Sequence, residues 1–164
     1  MGPWSNVAVH IATERLDLAA PGVGTWRALL EGVGGAAAEG YPTDGDLVMA
    51  RLVVEGHLPA DEWGPWQIRE RASGLLIGGA GFKGAPDDDG IVEIGYGLAP
   101  AGRGRGLATE AVLALVAHAF ARGVRAVRAE GETGHTASES VVRRAGFTVG
   151  DSDGVVRWWW RDPR

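Results

Sequence analysis

The stretch APAGRGRGLATEAV, residues 99–112, carries three glycines on alternate positions with two arginines between them, and then continues as a helix-forming run. A glycine turn ahead of a helix makes an anion site. The N–H groups of the first helical turn have no partner inside the helix, and the helix dipole favours negative charge there. The stretch therefore predicts a strand, a tight turn and a helix N-terminus that binds a phosphorylated ligand.

Three known phosphate-binding patterns compete for this loop. The P-loop requires Lys and then Ser or Thr after its last glycine, whereas Leu107 and Ala108 follow Gly106 here. The dinucleotide fingerprint requires a third glycine where Leu107 stands. The pattern R-x-x-G-x-A fits as it stands, with Arg103, Gly106 and Ala108. The alternative is a structural turn that binds nothing.

The strand predicted before the loop, residues 91–98, has an unusual face. A period of two puts Glu93, Gly95 and Gly97 on one side, so that Glu93 faces a channel floored by two glycines. Glycine within a strand often marks a bulge, and a bulge would leave N–H and C=O groups to pair with a ligand that carries amides. The alternative is a solvated Glu93 beside glycines that only permit twist.

A second helix start lies at residues 135–139. Thr136 and Glu139 have the spacing of a capping box, with Thr136 as the predicted N-cap. Ser138 then falls in the first turn, His135 directly precedes the helix, and Gly146 ends it. Ser138 on this pattern alone is as well explained by helix-start chemistry as by a functional role.

Hydrophobic spacing and turn residues give the order βααβββαβαββ, which predicts a mixed sheet flanked by helices, in the α/β or α+β class. The predicted elements are a strand in 10–21, helices 24–33 and 45–58, two strands in 66–84, a strand 91–100, a helix from 108 to 123, a strand 124–131, a helix 136–146 and a hairpin 147–162.

Composition narrows the class of protein. The 164 residues predict a single domain over 1–164, and the net charge of −5 gives no reason to expect nucleic acid as a partner. The absence of cysteine excludes disulfides and thiolate chemistry. No apolar run is long enough to span a membrane, and the first ten residues lack the apolar segment of a secretion signal. We therefore expect a cytoplasmic protein.

The three segments PAGRGRGLATEA (100–111), VEIGYGL (92–98) and HTASESVVRRAGF (135–147) together resemble the GNAT superfamily of acyl-CoA-dependent N-acyltransferases. The likeness is to the branch of bacterial ribosomal-protein N-terminal acetyltransferases, the RimJ/RimL type. The resemblance implies a mixed, mostly antiparallel sheet of about seven strands, splayed between its fourth and fifth strands, with about four helices. It implies acetyl-CoA as co-substrate, a primary amine as acceptor and no metal.

The resemblance also implies roles for single residues. Ser138 would be the acid for the leaving thiolate, and the N–H near Leu98 the donor to the thioester carbonyl. Separately, an amine must lose a proton before it attacks a thioester, and the strand supplies Glu93 as the base, acting directly or through water. Two residues depart from the family pattern: His135 stands where Asn is usual, and Val142 where many members have a catalytic Tyr. The residues expected to bind the cofactor are Leu98, Arg103, Gly104, Arg105, Gly106, Leu107, Ala108, Thr109, His135, Ser138 and Arg144.

The acceptor is the least determined part. Trp63 and Trp66, together with Glu93, are the predicted acceptor-binding residues, while the tryptophans of RWWW (157–160) fit a core or a dimer interface better. The acceptor would be a protein N-terminus or a small-molecule amine, and the protein a monomer or a homodimer. Two other functions compete: an acyl-CoA-binding sensor that has lost the chemistry, and a nucleotide-binding domain.

Overall fold

A computed structural model describes residues 9–163. The expectation about a secretion signal concerns residues 1–10, of which 1–8 lie outside the described part. The strands are β1 (His10–Ala12), β2 (Leu16–Ala19), β3 (Pro65–Glu70), β4 (Leu76–Phe82), β5 (Ile91–Leu98), β6 (Ala126–Glu132), β7 (Thr148–Ser152) and β8 (Val156–Arg161). The helices are α1 (Val23–Leu30), α2 (Asp44–Val54), α3 (Leu107–Ala121) and α4 (Thr136–Arg144), with a short 3₁₀ turn at Pro100–Gly102.

The strands form one sheet in the order β1-β2-β3-β4-β5-β6-β8-β7. Among the described strands, β5 and β6 are parallel and all other neighbours are antiparallel. The predicted class, a mostly antiparallel α/β sheet with helices on its faces, is confirmed. Residues 9–163 contain eight strands where about seven were expected, because the predicted strand 10–21 is two strands.

The chain reverses between β1 and β2 in a turn at Thr13–Leu16. The Thr13 N–H donates to the Leu16 C=O at 2.8 Å, and the Leu16 N–H donates to the Thr13 hydroxyl oxygen at 3.1 Å. The guanidinium of Arg15 reaches across to the Arg105 C=O at 2.7 Å and to the Glu110 carboxylate at 3.1 Å. Contacts between residues about ninety positions apart therefore fix the turn, and they hold it against the glycine loop.

The core lies between the sheet and α3. The apolar face of α3 is fully buried at Ala111, Val112 and Leu115 against the even-numbered face of β5. In β8, Trp159 is buried in this core while its two neighbouring tryptophans are partly exposed, as strand alternation predicts. In the described chain no helix is both long enough and apolar enough to cross a membrane.

The predicted bulge in β5 is wrong. The strand pairs with β4 in unbroken register from Phe82↔Ile94 to Gly78↔Leu98. The glycines of β5 therefore do not accommodate an extra residue. On the side of β5 that faces β6, backbone N–H and C=O groups lack partners among the described strands instead, because the parallel pairing with β6 ends before β5 does.

Candidate functional site

The site is built where β5 and β6 separate. Their parallel pairs run from Ile91↔Ala126 to Ile94↔Ala129 and end there, although β5 continues to Leu98. Beyond this point β6 pairs only with β8 on its other side. The expected splay, between the strands predicted at 91–98 and 124–130, is confirmed.

The backbone of Leu98 faces the opening. The Ala99 N–H donates to the Ile77 C=O at 2.7 Å, so Gly78 and Leu98 form a non-hydrogen-bonded pair of the antiparallel ladder. The N–H and C=O groups of Leu98 consequently point away from β4, toward the side that β6 has left. An N–H in this position can donate to a ligand that lies between the strands.

The glycine loop has the shape of an anion cradle. Gly104 and Gly106 adopt left-handed φ values of 78° and 76°, which a side chain would strain. The Glu110 N–H is the first in α3 to bond within the helix, to the Gly106 C=O at 3.1 Å. The N–H groups of the preceding turn thus have no helical partner, and no side chain of the described residues caps them.

Two arginines hold the loop in place. The Arg103 Nε donates to the Leu98 C=O at 3.0 Å, which ties the loop to the end of β5. Arg105 forms an ion pair with Glu70 and donates to the Ala101 C=O at 3.0 Å. Both arginines are exposed, so the rim of the cradle carries positive charge.

The predicted capping box at Thr136 and Glu139 is wrong. The N-cap of α4 is His135, whose side chain makes no capping hydrogen bond, so the helix begins one residue earlier than expected. Glu139 instead accepts from the Gly134 N–H at 3.4 Å and pairs with Arg157 at 3.5 Å. This shift still leaves Ser138 in the first turn.

Ser138 faces the opening through a contact that the sequence did not suggest. The Tyr96 hydroxyl donates to the Ser138 C=O at 2.8 Å and lies 3.0 Å from the Ser138 Oγ. Burial raises the pKa of the Tyr96 phenol above its ordinary value, and the hydrogen bond with Ser138 opposes the rise. A protonated phenol therefore stands beside the serine hydroxyl at neutral pH.

A cleft of about 290 Å³ opens at this point. Its floor is nearly bare, because a Cβ on Gly97 would have no atom within 4 Å. Ser138 and Tyr96 lie at one side of the cleft, and residues of α1 and α2 at the other. The lining residues used below are Trp26, Thr43, Asp46, Met49, Trp66, Gly79, Lys83, Gly95, Tyr96, Gly97 and Ser138.

Glu93 forms two ion pairs beside the cleft. Its carboxylate contacts the Lys83 ammonium and lies 3.4 Å from the Arg128 Nε, with 14% of the side chain exposed. Lys83 lines the cleft, whereas Glu93 is not one of the residues that line it. Glu93 has the expected face of β5, which it shares with Gly95 and Gly97, and both of these glycines line the cleft.

The other predicted site residues are spread more widely. Trp63 packs against Phe82 and the ring of His118, while Trp66 is fully buried with its backbone at the cleft. Arg144 is exposed at the end of α4. Val142 is buried in the core and is not one of the residues that line the cleft.

Asp46 and Trp26 in the cleft were missed. Asp46 is the N3 residue of a capping box on α2: its Oδ2 accepts from the Thr43 N–H and the Thr43 hydroxyl, both at 2.8 Å. The sequence signal was present as Thr43-Asp-Gly-Asp46, but a capping box does not reveal which space the carboxylate enters. Burial raises the pKa of Asp46 above its ordinary value.

Comparison with known proteins agrees with this geometry. The profile of the acetyltransferase (GNAT) domain matches residues 37–148. The uncharacterized N-acetyltransferase YjdG of Bacillus subtilis (strain 168) is 28% identical over 95 residues, which are 57% of this chain and 56% of that protein. The chain thus matches little more than half the length of this curated relative.

Two solved structures share the fold over nearly their whole length. A putative ribosomal-protein-serine acetyltransferase from Vibrio cholerae has a TM-score of 0.68 at 16% identity and covers 99% of this chain and 100% of its own. RimL, a ribosomal L7/L12 alpha-N-protein acetyltransferase in complex with coenzyme A, has a TM-score of 0.67 at 18% identity and covers 94% and 98%. With the domain match extending over more than half of the sequence, the chain belongs to the GNAT family of acetyltransferase domains.

Proposed function

We propose that the protein transfers the acetyl group of acetyl-CoA to a primary amine by direct attack in a ternary complex. One observation carries the proposal: the N–H cradle at Gly104–Leu107 lies at the end of the strand that parts from its parallel neighbour after Ile94. The gap between β5 and β6 beyond this point, which we call the slot, has unpaired backbone groups. A phosphate site joined to such a slot suits a long ligand with a phosphorylated end and an amide-bearing arm. The coenzyme A bound to RimL, a protein of the same fold, supports this reading.

The residues proposed to hold the cofactor follow the slot from end to end. N–H groups of the loop and of the first turn of α3 would meet the pyrophosphate, and backbone groups of β5 would meet the pantetheine amides. Bound there, acetyl-CoA supplies an activated thioester. The proposed set is Leu98, Arg103, Gly104, Arg105, Gly106, Leu107, Ala108, Thr109, His135, Ser138 and Arg144.

The Leu98 N–H is the proposed donor to the thioester oxygen. It is directed into the opening by the pairing pattern of β4 and β5, and a rigid sheet holds it there. A preorganised donor of this kind stabilises negative charge as it develops, at no cost in reorganisation. Removal of one such donor in other enzymes costs about 10²–10³ in rate.

Glu93 is the proposed base, acting directly or through water. An aliphatic amine is mostly protonated at neutral pH and must lose a proton before it attacks. Glu93 shares the strand face of the glycine floor, and Lys83 connects its carboxylate to the cleft. A water beside Lys83 would accept the amine proton as it gives one of its own to the Glu93 carboxylate.

Ser138 is the proposed acid for the leaving sulfur, with Tyr96 as its partner. The two hydroxyl groups lie 3.0 Å apart at the cleft. As the serine proton passes to the leaving sulfur, the phenol would turn its proton from the Ser138 C=O to the Ser138 Oγ and take up a proton from solvent at the open cleft. This pair supplies a phenol at the opening although the family's usual tyrosine position is Val142 here. No protein-bound acyl group is needed, which suits a chain without cysteine.

A second candidate function is an acyl-CoA-binding protein without catalysis. The observation in its favour is that Glu93 is engaged by two cations, Lys83 and Arg128. Release of free thiol from acetyl-CoA, followed with and without each member of a panel of amines, separates the two functions. Amine-dependent release supports the transferase, whereas binding of CoA without release supports the sensor. A cytoplasmic location and a monomeric or homodimeric state stay predictions.

A further inference from the structure

Asp46 is a buried carboxylate with one oxygen left unused. The residue is 7% exposed, and both bonds from Thr43 go to Oδ2. Among the described residues none donates a hydrogen bond to Oδ1, and no basic side chain pairs with Asp46. A carboxylate removed from water without a cation is costly unless a partner arrives from elsewhere.

The unused oxygen lies at the floor of the cleft. A Cβ on Gly79 would come within 2.6 Å of the Asp46 Oδ1, so the missing side chain at Gly79 is what gives the carboxylate its place. Gly79 is the direct cross-strand partner of Gly97, and a Cβ on Gly97 would meet no atom within 4 Å. Asp46 therefore stands next to the bare part of β5, close to the end of the slot proposed for the acyl group.

Trp26, which also lines the cleft, has a second polar group without a hydrogen-bond partner in residues 9–163. The residue is 1% exposed, and its indole Nε1 has no hydrogen-bond partner among the described residues. A buried N–H donor without an acceptor is uncommon, because it loses its bond to water and gains nothing in return. Asp46 lacks a donor and Trp26 lacks an acceptor, and both line one cavity.

We propose that Asp46 and Trp26 form the acceptor subsite, and that the acceptor is an aliphatic amine that enters as its ammonium ion and carries an oxygen acceptor such as an amide carbonyl. This inference rests on the proposed function. The ammonium donates to the Asp46 Oδ1, and the indole N–H donates to the carbonyl oxygen. Met49 supplies apolar surface beside the two polar contacts. The raised pKa of Asp46 agrees with a carboxylate that lacks its cation.

The binding of three small probes in the presence of CoA, followed by NMR titration, tests the proposal. Glycinamide has both groups, acetamide lacks the ammonium, and ethylammonium lacks the carbonyl. The parent protein should bind glycinamide roughly tenfold or more tightly than acetamide, as expected for a hydrogen bond between charged groups. Asp46→Asn should abolish that preference. Asp44→Asn, which removes a charge from the same helical turn at an exposed position, should keep it.

Trp26→Phe should abolish the preference for glycinamide over ethylammonium and keep the preference over acetamide. Equal binding of glycinamide and acetamide by the parent, or an unchanged preference in Asp46→Asn, would overturn the role of Asp46. An unchanged pattern in Trp26→Phe would overturn the carbonyl contact. Calorimetry with CoA on the same preparations checks folding: binding of CoA with no probe preference rejects the inference alone, whereas absence of CoA binding in the parent rejects the proposed function.

Discussion

The hydroxyl of Tyr96 on β5 lies 3.0 Å from the Oγ of Ser138 on α4, across the gap where β5 and β6 part. The same phenol donates to the Ser138 C=O, so it fixes the first turn of α4 to the strand. The Tyr96 hydroxyl therefore both anchors α4 and lies beside the hydroxyl that is proposed to act as the acid. Whichever ligand enters the gap meets two hydroxyl groups that already share a hydrogen bond.

Tyr96→Phe removes this hydroxyl and little else. We expect kcat to fall about tenfold, as the loss of roughly 1.4 kcal/mol in the transition state would give, with the Kd for CoA unchanged. Ser138→Ala should lower kcat by a similar factor and weaken CoA binding by less than that. The double variant should be no slower than Ser138→Ala alone, because the two groups act as a unit. Additive losses would mean that the two hydroxyl groups act independently, and a normal kcat with a lower Tm would limit both residues to holding α4.

Glu93→Gln keeps the shape of the proposed base and removes its basicity. A positioned base is worth about 10²–10⁴-fold, so turnover at neutral pH should fall within that range while the Kd for CoA stays the same. The loss should shrink as pH rises, because more of the amine is then neutral in solution. Rates of parent and variant with one acceptor, measured from about pH 6 to 10, test this. Overlaying profiles would make Glu93 an anchor for Lys83 and Arg128.

Gly106→Asp puts a negative charge at the N-cap of α3, where phosphate is proposed to bind. Calorimetry should detect almost no CoA binding, because the carboxylate occupies and repels the phosphate position. Gly106→Asn is the matched control, since it brings the same size and the same left-handed φ of 76° without the charge. It should bind CoA more tightly than the Asp variant. Equal binding by parent and Gly106→Asp would move the site elsewhere.

His118 should make stability depend on pH. Burial, helped by Arg122, lowers the pKa of His118 below its ordinary value, and Glu62 only partly opposes this. The unfolded chain then binds more protons than the native one between the native pKa and about 6.5. The free energy of unfolding is therefore expected to decrease as pH falls from about 6.5 toward the native pKa of His118. Above about pH 6.5, His118 is neutral in both states and should add no further pH dependence.

Denaturant unfolding from about pH 5 to 8 measures the effect. His118→Gln should flatten the slope below about pH 6.5, while His57→Gln, at an exposed position, should leave the slope as in the parent. An equal slope in His118→Gln would mean that other groups carry the pH dependence.

Local patterns in the sequence predicted the frame of the site. The loop at 103–108, the glycine face of β5 and the helix start near Ser138 all lie within short segments, and their geometry follows from backbone rules. The separation of β5 from β6 came with the family resemblance, and the pairing that ends at Ile94↔Ala129 bears it out.

The errors and omissions have a common physical cause. The break at Thr13–Arg15 depends on contacts with Arg105 and Glu110, and the N-cap of α4 moves to His135 while Glu139 engages Arg157. Tyr96, Trp26 and Asp46 reach the cleft from β5, α1 and α2, and only tertiary packing brings these elements together. Spacing along one element cannot reveal which cavity a side chain enters.

Transfer of a labelled acetyl group tests the central claim most directly. The protein, at a concentration equal to that of acetyl-CoA labelled in its acetyl group, is mixed with an amine that supports thiol release, and the masses of amine and protein are followed through one turnover. Direct attack predicts that the label passes to the amine as an amide and that the protein never carries it. Label on the protein before the amide forms, or loss of the thioester without labelled amide, would contradict the account.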